Sequence, residues 1–294
     1  ILELSSFGVD FSHKYRGIPK SRSINIGIPV EIEKYSCNKS LKQKGKVFRI
    51  ASMASAYKYK PLSKLSFQDF VDKVLSCKEN IVFSIIGVDK GDSNWSDLLK
   101  KYGNRISFLG VLEKKEAHRV LKQADLYIDS FPFGSSTSFI EAVSLGVPSL
   151  SLRNITNNLD MISKLGVATV EELVDKVMEV YSFSNKQKEA YVKDSVNYIY
   201  DLYSLESFKK KITKLYQDCQ KHDPIIMNDI LITDDCIKKY VDYCYGLTRN
   251  NNFLYSFKSF EFGRLQLKDR RAIKKIIDIF LDSESIQNQI TNPK

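Results

Sequence analysis

Four small hydroxylated residues in a row, Ser135-Ser136-Thr137-Ser138, follow a Phe131-Pro132-Phe133-Gly134 turn and lead into a segment that carries Glu141. If a helix starts there, its first backbone N–H groups have no intrahelical acceptor. The positive end of the helix dipole then points at the same spot, and the hydroxyls add further donors. That is the chemistry of an anion site, and Gly134 through Ser138 are its candidate residues. Glu141 would sit one to two helical turns in, close enough for its carboxylate to reach a ribose attached to a bound phosphate. The plainer reading is that Ser135 to Ser138 only cap a helix. A second cationic candidate is Lys58, in the run Ser52-Met53-Ala54-Ser55-Ala56-Tyr57-Lys58-Tyr59-Lys60-Pro61. A lysine in a loop of small residues past a strand's carboxyl end can lie beside phosphates as a point charge. An ordinary solvated loop lysine fits the same residues.

The elements that must hold these groups are a strand before the turn and a strand after the helix. Leu126-Tyr127-Ile128, bracketed by Asp125 and Asp129, reads as a buried parallel strand. Gly146 and Pro148 stop the helix, and Ser149 to Leu152 read as the next strand. Upstream, a βα alternation begins with a strand at Val47–Ala51 and a helix at Ser63–Cys77. It continues with a strand at Ile81–Ile86, a helix at Asn94–Tyr102, a strand at Ile106–Leu109 and a helix at Glu113–Gln123. Strands alternating with helices of this length predict an α/β fold with a doubly wound parallel sheet, Rossmann-like, whose ligands bind outside the carboxyl ends of the strands. Past Leu152 the pattern is helical, at 171–181, 185–200 and 205–219. Two further amphipathic stripes, Ile237 to Tyr245 and Ile273 to Leu281, read as an appended antiparallel pair. Residues 1–46 show no sustained period and read as turns and connector, with a short strand at Ile24–Ile28 and a charged loop or linker from Lys39. The expected division is 1–46, 47–222 and 223–294.

Composition narrows the classes. Of 294 residues, 43% are hydrophobic and 27% charged, ordinary for a globular chain long enough to bury a full core. No apolar run approaches the roughly 18–20 residues that span a bilayer, and no signal peptide stands out. The five cysteines are scattered without a CxxC, and only three histidines accompany them. Both facts point to a reducing, cytoplasmic setting and away from a zinc site. The net charge is +10, and residues 1–60 hold twelve basic against four acidic residues, most of that excess. No RNA-binding signature accompanies it, so nucleic acid is not the expected partner. Contact with an anionic membrane face or a partner subunit stays open. The first strand is not followed by GxGxxG, which argues against a dinucleotide oxidoreductase. The chain opens with Ile, from which a preceding N-terminal segment is expected.

Taken together, the Asp-ended strand, the Pro/Gly turn, the small hydroxylated residues, Glu141 and Gly146-Val147-Pro148 resemble the donor-nucleotide element in the C-terminal half of GT-B glycosyltransferases. Many retaining members carry two glutamates there with seven residues between them. Here the position eight before Glu141 is Phe133, and the Pro132-Phe133-Gly134 turn is similar to the inverting branch of O-GlcNAc transferases and bacterial adhesin N-glucosyltransferases. The resemblance runs from about Val47 to Asn154. It implies that Lys58, with Tyr57 before it and Pro61 three residues on, contacts the donor diphosphate. It also implies that Val111, Leu112 and Lys114 hold the nucleobase. His118 lies one place off the family's histidine, and His13 and His222 carry no role.

The activity so implied is transfer of a sugar from a nucleoside-diphosphate donor, a UDP-hexose or UDP-N-acetylhexosamine, to a glycan or protein acceptor. The displacement would be inverting and would use no cofactor. No DxD-like pair sits in a loop where Mg²⁺ would bridge a diphosphate. In the family the catalytic base comes largely from the N-terminal half, which this chain mostly lacks, so no catalytic residue is assigned. The rival readings are a non-catalytic GT-B-like binding or scaffold subunit, and another Rossmann-like enzyme.

Overall fold

The computed structural model describes residues 2–16, 18–32, 46–61, 65–153 and 159–219. The chain divides into two compact units, one of Ile1–Asp10 with Lys20–His222 and one of Phe11–Pro19 with Asp223–Lys294. The expected helices near 237–245 and 273–281, and the linker at 39–45, lie outside the described residues.

In chain order the elements begin with β1 (Leu2–Glu3), α1 (Ser6–Arg16) and β2 (Ile24–Asn25), and β1 and β2 form a small parallel pair. The alternation follows as β3 (Phe48–Met53), α2 (Phe67–Cys77), β4 (Ile81–Ile86), α3 (Ser96–Tyr102), β5 (Ile106–Phe108) and α4 (Lys114–Gln123). Next come β6 (Leu126–Ile128), α5 (Thr137–Ser144), β7 (Ser149–Leu152), α6 (Asp160–Leu165) and β8 (Gly166–Val167). The helices α7 (Val170–Ser182), α8 (Asn185–Tyr203) and α9 (Leu205–Cys219) close the described chain.

Strands β3 to β8 make one parallel sheet in the order β5-β4-β3-β6-β7-β8. Parallel strands need helical crossovers, and these cover both faces. On one face Phe48, Ile50, Leu126 and Ile128 pack with side chains of α2, α3 and α7. On the other, Ala51 and Tyr127 pack with α4, α5, α6 and α8. The two-residue alternation along β3 and β6 is thus what feeds two separate cores. No helix among the described residues is long and apolar enough to cross a membrane.

Several boundaries differ from the sequence reading. Helix α2 begins at Phe67 rather than Ser63, because the Ser66 hydroxyl caps it by accepting from Asp69 N–H at 3.1 Å. Residues 93–95 form a 3-10 turn ahead of α3 that buries Trp95. A capping box of Ser184 and Gln187 opens α8, which runs on to the buried Tyr203. The strand at Ile24 ends at Asn25. Beyond β1 and α6, for which the sequence reading had no counterpart, two further elements were not expected. One is α1, whose Gly8 and Val9 weaken any helical signal. The other is β8, whose two residues are too few to show a period, yet they pair with Ser151 and Leu152 to complete the sheet.

Candidate functional site

The strand order reverses direction at β3. From β3 the chain winds outward through β4 and β5, then returns to lay β6 on the opposite side. A doubly wound sheet opens a crevice at such a point, outside the carboxyl ends of the two strands. The loops that leave β3 and β6 there carry Lys58 and Gly134 to Ser138.

The β3 loop is anchored by Tyr59. Residues Ala56–Tyr59 form a 3-10 turn, and the Tyr59 side chain is buried with its hydroxyl 2.9 Å from the Ser52 hydroxyl. Burial pushes that phenol well above its usual range. The Tyr59 ring meets Phe67 edge-on at 4.9 Å between centroids and Trp95 at 5.8 Å. With Tyr59 pinned inward, the preceding Lys58 lies half-buried over the β6 turn. Its Nζ donates to the Gly134 carbonyl at 2.8 Å, and its own carbonyl accepts from Phe133 N–H at 3.4 Å.

The β6 turn is anchored in the same cluster. The Phe131 ring is buried 5.0 Å from Phe67 and 5.6 Å from Phe70. Phe67 therefore stands between the two loops and supports both. Asp129 follows β6 and is wholly buried. Its carboxylate accepts from Ser130 N–H at 3.0 Å, from Ser135 N–H at 3.0 Å and from the Ser135 hydroxyl. Ser130 in turn donates its hydroxyl to the Phe133 carbonyl at 2.7 Å.

The four hydroxylated residues are not equivalent. Ser135 is buried and turned toward Asp129, so its amide and hydroxyl are engaged inside the protein. Ser136 occupies the N-cap position of α5 with φ 54° and ψ −83°, and no side-chain hydrogen bond caps the helix. A non-glycine residue there carries strain of about 1–3 kcal/mol, a load the surrounding contacts must offset. Thr137 is exposed and Ser138 partly so. Residues 136–138 thus make up the open end of the helix, with amides that have no intrahelical acceptor.

Glu141 is the fifth of the eight residues of α5, with 23% of its side chain exposed. Helix α4 brings two nitrogen-bearing side chains to it, one turn apart. Lys114 Nζ is 3.5 Å from one carboxylate oxygen, and His118 Nε2 is 3.5 Å from the other. The His118 nitrogen is shielded from solvent and makes no hydrogen bond among the described residues, so the 3.5 Å approach is a contact rather than a bond. His118, set aside on sequence grounds, is therefore a neighbour of the candidate ribose carboxylate. The i, i+4 spacing of 114 and 118 placed both on one helix face, but nothing in the sequence placed that face against α5.

Val111 and Leu112 occupy the loop between β5 and α4, with Val111 89% exposed and Leu112 half-buried. The loop is held by Gly110, whose N–H donates to the Val88 carbonyl at 3.1 Å and whose carbonyl accepts from Gly87 N–H at 2.6 Å. Gly87 has φ +88°, and a Cβ there would stand 2.2 Å from the Ala54 carbonyl oxygen. Only glycine allows the β3 and β4 loops to approach so closely. The structure thus brings Lys58 to the 134–138 turn and Lys114 to Glu141, with Val111 and Leu112 in the loop that leads into Lys114.

Two contributors were missed by sequence reasoning, Asp129 and Tyr59. The signal for the first was present: an acid ending a fully apolar strand is costly unless it has donors to meet.

No protein-family model and no curated protein matches the chain. Among solved structures it is similar to a glycosyltransferase from Rickettsia africae, with TM-score 0.57 and 14% identity over 76% of this chain and 64% of that one. It is also similar to S. aureus TarM solved with UDP and alpha-GlcNAc-glycerol, with TM-score 0.55 and 14% identity over 73% of this chain and 43% of that one. A third is WaaG, a glycosyltransferase involved in lipopolysaccharide biosynthesis, with TM-score 0.51 and 16% identity over 73% of this chain and 61% of that one. At such identities the likeness is one of fold, and the fold is the parallel α/β architecture of GT-B glycosyltransferases. The chain spans less than two thirds of each of these solved chains.

Proposed function

We propose that this chain is the donor-binding part of a GT-B glycosyltransferase that takes its sugar from a nucleoside diphosphate, UDP-linked. The observation that carries the reading is the convergence at the switch point: Lys58 and the 134–138 turn meet across β3 and β6. From there α5 carries Glu141 to Lys114. A diphosphate on the amides and hydroxyls of residues 136–138 would have Lys58 beside it. The attached ribose would lie toward Glu141, and the base toward Val111, Leu112 and Lys114. UDP is among the molecules solved with TarM, which shares this fold.

The chemistry would be a direct, inverting displacement. An acceptor hydroxyl or amide attacks the anomeric carbon, the bond from that carbon to the diphosphate oxygen breaks, and the diphosphate leaves with the electron pair. Lys58, the helix amides and the hydroxyls would take up the charge that grows on it. The donor sugar is a hexose or N-acetylhexosamine and the acceptor a glycan or protein. The base that removes the acceptor's proton would come from the other half of the enzyme.

Ligand-observed NMR with UDP, ADP and GDP tests the reading. Saturation transfer strongest to UDP is expected. Absence of transfer to any nucleotide from folded protein would leave the scaffold reading standing.

A further inference from the structure

We propose that Asp129 is a positioning residue for diphosphate recognition, holding the anion turn in shape from behind without touching the ligand. This rests on the donor reading above.

Asp129 is wholly buried. One carboxylate oxygen accepts from Ser130 N–H and Ser135 N–H, each at 3.0 Å, and from the Ser135 hydroxyl. The other accepts from the Ser151 hydroxyl of β7 at 3.3 Å. A buried carboxylate persists only where donors satisfy it, and here they come from both ends of the segment 130–135. The carboxylate therefore closes that segment into a ring and ties it to the neighbouring strand. Tyr127 packs against the closure, with its hydroxyl oxygen 3.1 Å from that of Ser135 and its proton donated to the Met53 carbonyl at 3.2 Å. Turn, β6 and β7 are thus joined through Asp129, and Tyr127 of β6 adds the end of β3.

The consequence lies at the next residue. Because Ser135 is drawn inward, the chain must reverse at Ser136, which it does at φ 54°, and α5 starts at Thr137. Without the clamp neither the inward Ser135 amide nor the strained Ser136 backbone has a reason to persist. The open amides of residues 136–138 would then lose their common aim. The charge of Asp129 is not the useful property, since an anion behind an anion site opposes binding. Its geometry as an acceptor is. Asparagine keeps the oxygen that takes the Ser130 and Ser135 donors, and can donate to the Ser151 hydroxyl.

The experiment is calorimetric titration of the full chain and three variants with UDP and with uridine. Asp129→Ala should lose about tenfold or more in UDP affinity while uridine affinity stays put, and Asp129→Asn should return most of the UDP affinity. Unchanged UDP affinity in folded Asp129→Ala, or parallel loss of UDP and uridine, overturns the proposal. If Asp129→Ala does not fold, Ser135→Ala decides. It keeps the amide bond to Asp129 and loses the hydroxyl bond, so UDP binding alone should weaken several-fold. Equal UDP affinity in Ser135→Ala and wild type overturns the proposal. Failure of the folded wild type to bind UDP overturns the donor reading, and this inference with it.

Discussion

Lys58 Nζ donates to the carbonyl of Gly134 at 2.8 Å, joining the loop after β3 to the turn after β6. The ammonium therefore already stands on the turn where a diphosphate would bind, and needs no long movement to meet it. Replacing Lys58 with Met keeps the aliphatic stem and removes the charge. A charge-assisted hydrogen bond is worth about 1.5–3 kcal/mol, so UDP affinity should fall roughly ten- to a hundredfold. Uridine, which lacks phosphate, should bind as before. Calorimetry on the two ligands reads both effects. Raising the salt should weaken the wild type toward UDP more than it weakens the variant.

The two loops share one support, which makes Phe67 the packing residue on which the site depends. Its ring contacts Tyr59 on one side and Phe131 on the other, and Trp95 and Phe70 besides. Phe67→Ala should cost about 3–5 kcal/mol of folding stability through the cavity it leaves. Urea denaturation should show the midpoint falling with the slope unchanged. UDP affinity should fall as well, because Lys58 and the 134–138 turn then lose their common wall.

Buried phenols set the alkaline limit of stability. Burial raises the pKa of Tyr59, Tyr127, Tyr191 and Tyr203 above the ordinary value near 10. A group whose folded pKa is raised holds its proton more tightly when folded. Its contribution is fully present below the unfolded pKa and is lost as the pH climbs above it. Stability should therefore be level up to about pH 9 and fall above about pH 10. Denaturant midpoints measured at pH 8 and pH 10.5 check this, and equal midpoints would contradict it.

Much of the sheet was legible because strands such as Ile81–Ile86 are short runs rich in Ile, Val, Leu or Phe between turn residues, and the helices carry apolar stripes of the right period. What escaped were elements with too little chain to show a pattern, such as Gly166–Val167, and a weak helix former, residues 6–16. The site was legible as residue types and not as relationships. Ser135 to Ser138 look alike in the sequence, yet a buried aspartate six residues before Ser135 draws that one serine inward and leaves the others open. Likewise Lys114 and His118 share a helix face by spacing alone. Their meeting with Glu141 depends on the strand order that sets α4 beside α5, which no local pattern encodes.

Glu141 is the carboxylate proposed to meet the ribose, and the donor site depends on it most. Glu141→Gln preserves its shape and removes charge-assisted acceptance, and it also frees Lys114 of its partner. Calorimetric titration of wild type and Glu141→Gln with UDP and with 2′-deoxy-UDP is the direct test. The account predicts that wild type binds UDP and that the variant binds it about ten- to a hundredfold more weakly. It also predicts that wild type favours UDP over the deoxy form and that the variant largely loses this preference. Equal UDP affinity in the two folded proteins, or no UDP binding by the wild type, would contradict it.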